Sequence, residues 1–249
     1  MLYPAAQASK KVLPLPLARA ARAKKQRAGQ SHRLMEAASR LREIRLAIES
    51  LSAKPDLDER LRKELLRGIP ISLVACMQNY FREAIRDLAN SGEPFDARAK
   101  ELNRVSRSLL DKAGLFSRDI KFGDLLSEQV PLSNVQDILR PMSLILDLPL
   151  RRLIHNYDMR CPDCKHISTP ANYLPDFWRV LGALFRVRHA LAHEHARKVK
   201  LTLPLVAKFA LATEIFLRVT DGFVFKELVL IGGRFEELTA YEKIGRVRV

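Results

Sequence analysis

The stretch ISLVACMQNYFREAIRDLAN runs from Ile71 to Asn90, and its pattern indicates the fold class. Apolar side chains recur in it at steps of three and four residues, which is the period of one face of an α-helix. This period predicts a helix with an apolar stripe in a protein core, flanked by charged side chains. The stripe consists of Val74, Met77, Phe81, Ile85 and Leu88, and the flanking residues are Arg82, Glu83 and Arg86.

Two more helices are predicted before this stretch. The first begins at Ser31 and carries a seam of apolar residues that resembles a heptad repeat, from Leu34 to Leu51. The second runs from Asp56 to Arg67. Gly68 and Pro70 are then expected to break the chain, because proline removes a helical hydrogen bond.

The helical pattern continues after Asn90. Residues 96–114 predict a polar helix that ends at Gly114. A shorter helix follows with Ser133 as its N-cap, and Pro141 is expected to bend or interrupt it. Residues 149–175 are predicted to be the longest irregular connection, and they contain two of the three cysteines.

Two long helices are predicted toward the end of the chain. One is opened by Asp176 and places Phe177, Leu181, Leu184 and other apolar residues in the core while carrying polar residues at its far end. The next, residues 201–225, is apolar nearly all round, so it should be buried in the bundle or in a subunit interface. The tail is expected to form a small hairpin around its paired glycines.

The composition supports an all-α protein. Of 249 residues, 47% are hydrophobic, 7% are aromatic and only ten are glycine, which favours helices and allows a hydrophobic core without covalent cross-links. The sequence predicts a mobile basic arm over residues 1–30, N-terminal helices over residues 31–67, a main helical domain over residues 68–226 and a tail over residues 227–249.

The net charge of +15 indicates an anionic partner. A field of this sign attracts polyanions, and nucleic acid is the expected one; the alternative is an ordinary helical surface with a basic bias. The longest apolar run contains Asp147 and Pro149 and falls short of a membrane span, so no membrane is expected. Because three cysteines are an odd number, a reducing, cytoplasmic location is predicted.

The segment RVRHALAHEHARK, from Arg186 to Lys198, concentrates three of the six histidines. A guanidinium can hold phosphate oxygens, and imidazole exchanges protons near neutral pH. Together they suit RNA cleavage without a metal. On an unbroken helix Arg188 and His193 point about 140° apart, whereas His189 and His193 share a face. Arg188 and His193 could therefore act on one phosphate only if the helix kinks or a second copy faces the first.

Within this segment, RHALAH resembles the Arg–His motif of the HEPN superfamily of helical ribonucleases. The order of segments from Ile69 to Phe225 is similar to the branch called RiboL-PSP-HEPN. The resemblance implies an up-and-down helical bundle of the HEPN type over residues 68–226, with extra N-terminal helices. It also implies a two-fold homodimer with a composite cleft, and a metal-independent endoribonuclease that leaves a cyclic phosphate. Such proteins often act as toxins or in phage defence with an antitoxin partner.

The resemblance assigns roles to particular residues. It implies that Arg188 binds phosphate, that His193 transfers protons, and that His189 occupies the polar position after the arginine, where the family more often has Asn or Asp. Arg186 and His195 are expected to contact the substrate. Glu83 is the candidate for an acidic or polar residue contributed by an early helix.

Three alternatives stay open. A surface histidine cluster or a core histidine would give the same spacing without chemistry. The same residues could grip RNA without cutting it. Finally, the seam from Leu34 to Leu51 could make the protein an adaptor that recruits another protein.

The cysteine pair in CPDCKH predicts a possible zinc half-site formed by Cys161, Cys164 and His166. The two-residue spacing between the cysteines suits zinc, but a tetrahedral site needs a fourth ligand. A pair of reduced cysteines in a loop is the alternative. No cofactor is expected to be needed for catalysis.

Overall fold

The computed structural model describes residues 31–102, 121–160, 167–193 and 199–231. Several expectations concern residues outside these ranges. They are the basic arm of residues 1–30, the polar helix beyond residue 102, and the hairpin around Gly232 and Gly233.

The described residues are mostly helical, which confirms the predicted all-α class. Two strands of two residues each pair antiparallel, Met159 with Ser168 and Arg160 with Ile167. The elements are α1 His32–Ala53, α2 Glu59–Ala89, α3 Phe95–Leu102, α4 Phe122–Gln129, α5 Val135–Leu146, α6 Leu150–His155, β1 Met159–Arg160, β2 Ile167–Ser168, α7 Pro170–Tyr173, α8 Phe177–Ala192 and α9 Leu203–Ile231. Within those ranges, no helix has the length and apolarity needed to cross a bilayer.

Helix α2 lies at the centre of the molecule and packs against α1, α4, α8 and α9. The predicted stripe is confirmed, because all five of its residues are fully buried. Tyr80 and Phe81 add an aromatic cluster, with ring centres 5.0 Å apart, and Phe81 stands 5.1 Å from Phe216 of α9. This helix therefore carries much of the apolar core.

The predicted break before Ile71 is wrong, since α2 runs without interruption from Glu59 to Ala89 with Pro70 inside it. Proline in a helix interior costs about 3 kcal/mol or more, through a lost hydrogen bond and a steric clash. Here Pro70 itself is buried, and Leu73 and Val74 just beyond it are fully buried. Their apolar burial offsets the local cost. The expected boundary between residues 67 and 68 lies inside this helix.

Helix α1 is confirmed from Ser31 onward, where the Ser31 hydroxyl caps the helix by accepting from the Leu34 N–H at 3.1 Å. Most of its seam is buried against α2 and α9 of the same chain. The adaptor alternative is therefore wrong in its choice of surface, because the seam from Leu34 to Leu51 is already packed against α2 and α9. The buried seam residues are Leu34, Ala37, Leu41, Ile44 and Leu51.

Four local predictions need correction. Asn134, not Ser133, caps α5, because its side chain accepts hydrogen bonds from the N–H groups of Gln136 and Asp137, at 2.8 and 2.9 Å. Pro141 does not interrupt α5, which continues to Leu146. The connection of residues 149–175 contains α6, α7 and the strand pair. Likewise, the first residues of the expected tail are helical, since α9 ends at Ile231.

Candidate functional site

Helix α8 is held in the bundle by its first turns. Phe177, Leu181 and Leu184 are buried, and α8 packs against α2 and α9. Trp178 meets Phe216 of α9 with ring centres 6.1 Å apart, and the guanidinium of Arg151 lies 5.1 Å from the Trp178 ring centre. The core contacts therefore fix the direction in which the later turns of α8 leave the bundle.

The last turns of α8 carry the predicted site residues to the surface. After Phe185 no residue of α8 is fully buried, and Arg186, His189 and His193 are exposed. The helix ends at Ala192, so His193 is the first residue beyond it, with φ −112° and ψ 48°. Its N–H still donates to the His189 carbonyl at 3.2 Å. The motif therefore sits at a helix terminus, and its histidine follows the last helical residue.

His189 and His193 form an exposed imidazole pair. Their ring centres are 4.3 Å apart and the rings are inclined by 55°. This contact confirms the prediction that the two histidines share a face. Two imidazoles at this separation can contact neighbouring atoms of one ligand.

Arg186 lies on the same face of α8 as this pair, because it precedes His189 by three residues and His193 by seven. Its guanidinium folds back along the helix. The Nη1 atom comes within 3.4 Å of the position that a Cβ would take on Gly182. Gly182 has no side chain, so the space beside the guanidinium stays open. No sequence motif had marked this glycine.

Arg188 does not share this face. It is half-buried, and its five-residue spacing from His193 places it about 140° around the axis of an α-helix that shows no break between them up to Ala192. The structure therefore brings His189 and His193 together, places Arg186 on their face with its guanidinium turned toward Gly182, and leaves Arg188 apart from them. Among the residues that the structure describes, neither arginine side chain has a hydrogen bond or an ion pair.

Glu83 belongs to a different group of charges. Its side chain is 21% exposed and lies 3.7 Å from the Arg86 guanidinium. Burial raises the pKa of Glu83, nearby Glu36 and Asp87 raise it further, and Arg86 and His32 lower it. These neighbours are on α1 and α2. Glu83 forms no ion pair or hydrogen bond with Arg188, His189 or His193 in the described structure.

The remaining predicted site residues are outside the described ranges. Cys161, Cys164 and His166 lie between β1 and β2, and His195 lies between α8 and α9. The zinc prediction and the substrate contact of His195 thus stay predictions. Within the described ranges, no group of three or more His, Cys, Asp or Glu residues could hold a metal ion.

The end of α8 combines two chemical capacities. Imidazoles exchange protons near neutral pH, and guanidinium groups bind phosphate oxygens through paired hydrogen bonds. The chain as a whole adds a net charge of +15. No family model matches the chain, and neither a curated protein nor a solved structure matches it.

Proposed function

We propose that this protein is a metal-independent endoribonuclease of the HEPN type. The observation that carries the proposal is the exposed imidazole pair of His189 and His193 at the end of α8, with Arg186 and Arg188 on the same turns. RNA supplies both groups that such a site needs: a phosphate for a guanidinium and a 2′-hydroxyl that can give up its proton.

The proposed reaction is an attack of the RNA 2′-oxygen on the adjacent phosphorus. His193 accepts the 2′-hydroxyl proton, and His189 is the available imidazole that gives a proton to the departing 5′-oxygen. The P–O5′ bond breaks as the P–O2′ bond forms, which leaves a 2′,3′-cyclic phosphate and a free 5′-hydroxyl. General acid–base help of this kind is worth about 10²- to 10⁴-fold in rate. Arg188 is proposed to hold the nonbridging oxygens as negative charge develops.

The placement of Arg188 bears on how many chains build one site. In a single chain it points away from the imidazole pair, so it cannot hold the phosphate next to the 2′-hydroxyl whose proton His193 accepts. In the proposed two-fold homodimer, the second copy supplies its own Arg188 to the cleft. Arg186, on the face of the histidines, is proposed to contact the neighbouring phosphate.

The biological role that fits this activity is a toxin or phage-defence effector. We propose that it acts on RNA in the cytoplasm and is restrained by an antitoxin or another regulatory protein. The net charge of +15 supports RNA as the polyanion, since phosphate contacts dominate nucleic-acid affinity.

The test is cleavage of total RNA by the purified protein in EDTA. His193→Ala and Arg188→Ala should each lower the rate by at least about 100-fold, in line with the loss of a general base or of a charge-stabilising group. His155→Ala, an exposed histidine on α6, should leave the rate unchanged. The products should carry cyclic phosphates. Cleavage that is absent, or that survives both site variants, contradicts the proposal.

One observation favours a second candidate function, RNA binding without cleavage. Arg188 and His193 point to different sides of α8, which suits an RNA strand that wraps around the helix end better than a single in-chain catalytic site. In that case Arg188→Ala and His193→Ala weaken RNA binding while the RNA stays intact throughout.

A further inference from the structure

We propose that His189 and His193 form a binding site for a divalent transition-metal ion, with Zn²⁺ as the test ion, and that the ion switches off the proposed RNA cleavage. The metal site is independent of the function proposed above. Only the inhibition of RNA cleavage by the bound ion rests on that proposed function.

The geometry of the pair suits a shared metal. The two histidines are four residues apart, which puts their side chains on one face of the helix. Zinc binds imidazole nitrogen at about 2.0–2.1 Å, so two rings on one ion stand a few ångströms apart. The 4.3 Å between the ring centres already approaches that arrangement. Both rings are exposed, so an ion can reach them from solvent and keep water as its other ligands.

The electrostatics at this position favour a cation despite the nearby arginines. The pair occupies the last turn of α8, where unsatisfied carbonyl groups give the helix its negative end. Arg186 directs its guanidinium back over Gly182, which lies toward the helix N-terminus and away from the rings. Arg188 is on another side of the helix. Imidazole is also a preferred ligand of zinc, copper and nickel.

Metal binding and catalysis would compete for the same atoms. A nitrogen lone pair that binds zinc cannot accept the 2′-hydroxyl proton, so a bound ion blocks the proposed general base. A chelator should therefore increase RNA cleavage. This regulation differs from the zinc half-site predicted at Cys161 and Cys164, where the ion would be structural.

The experiment is a calorimetric titration of Zn²⁺ into the full chain with Cys161→Ser and Cys164→Ser, which removes both thiols of the predicted zinc half-site and leaves only the buried Cys76. We expect one ion per chain. Adding His189→Ala or His193→Ala should each weaken binding about 100-fold, the lower end of the gain that an intramolecular second contact provides. The control His155→Ala should bind as the parent does. Circular dichroism checks that each variant keeps its helices.

Two results overturn the metal site: a parent that binds no zinc, or a histidine variant that binds like the parent. If the serine variants do not fold, the unmodified chain serves, because either histidine variant should then bind one ion fewer. The inhibition is tested separately, by measuring RNA cleavage. The cleavage rate should fall as zinc fills the site and recover when EDTA removes the ion. If the chain binds zinc but never cuts RNA, the metal site stands and the nuclease proposal fails.

Discussion

Among single residues, Asp221 is a carboxylate buried in a largely apolar core. It is 2% exposed, in α9. It accepts a hydrogen bond from the Tyr80 hydroxyl at 2.9 Å, and Ser31 donates to it through both its N–H and its hydroxyl. The Arg33 guanidinium is 3.9 Å from the same carboxylate. A buried carboxylate needs such donors because leaving water is costly, so this residue ties α1, α2 and α9 together.

Tyr80→Phe should lower the free energy of unfolding by about 1.5–3 kcal/mol, the range for a hydrogen bond to a charged group. The change removes one donor from Asp221 and keeps the buried ring. Urea unfolding measures the effect. Tyr173→Phe is the matched control, because Tyr173 is 44% exposed, and it should change stability by less than about 0.5 kcal/mol. Equal effects of the two changes would show that the hydrogen bond from Tyr80 to Asp221 contributes nothing to the free energy of unfolding.

Glu83→Gln should make the protein more stable at pH 7. Burial and nearby Glu36 raise the pKa of Glu83 above its ordinary value of 4.5. The protonated form is therefore favoured in the folded state, and the stability that it contributes is lost as the pH rises through the raised pKa. The advantage of glutamine should shrink as the pH falls through the raised pKa and should be lost below pH 4.5. Thermal unfolding across pH measures it.

Glu128→Gln is the control for this change, since the Glu128 side chain is 75% exposed, and it should leave stability nearly constant. A Glu83→Gln protein that is less stable than the parent at pH 7 would contradict the argument. The Glu83→Gln variant also tests whether Glu83 takes part in RNA cleavage. We expect full activity, because its charged neighbours are on α1 and α2 and not on α8.

At the scale of elements, α2 has two halves with different surroundings. Its first ten residues have only one buried side chain, Leu66, whereas most residues from Ile69 to Ala89 are buried or half-buried. The exposed half is attached to α1 through the Arg62 guanidinium, which donates to the carbonyls of Leu51, Lys54 and Pro55. One continuous helix thus has a solvent-exposed first part and a buried second part.

Phe81→Ala should lower the free energy of unfolding by about 3–5 kcal/mol, because a fully buried aromatic ring leaves a cavity. Leu61→Ala on the same helix removes a side chain that is 49% exposed, so we expect less than about 0.5 kcal/mol. Urea unfolding of both variants compares the halves of α2. Similar losses from the two changes would show that the exposed half of α2 is packed against something.

For the whole molecule, the proposed function requires that two chains build each site. The proposed cleft takes Arg188 from one chain and His193 from the other. The chain's charge of +15 opposes association of two copies at low salt. An apolar or well-paired interface must therefore outweigh this repulsion for the dimer to form.

A mixture of Arg188→Ala and His193→Ala chains, each inactive alone, should regain about a quarter of the parent rate. Half of the randomly paired dimers are mixed, and each mixed dimer keeps one of its two composite sites intact. The measurement is RNA cleavage after the two variants are unfolded together and refolded. The control is the double variant Arg188→Ala with His193→Ala, refolded with the parent chain. Its mixed dimers should contain no intact site. No recovery in the first mixture contradicts a shared cleft.

The pattern along the chain was enough to predict the features that depend on sequence neighbours: the all-α class, the helix that follows Ser31, the buried stripe of α2, and the shared face of His189 and His193. The period of three to four residues carries these features without any tertiary contact. The continuity of α2 through Pro70 depends instead on packing, because the buried residues around Pro70 offset its local cost. Packing also places the α1 seam against α2 and α9, since periodicity shows that a face is buried and not what buries it. The structure further shows that α8 ends at Ala192 and that the Arg186 guanidinium turns toward Gly182, because neither the helix end nor a side-chain direction is specified by the spacing of the motif.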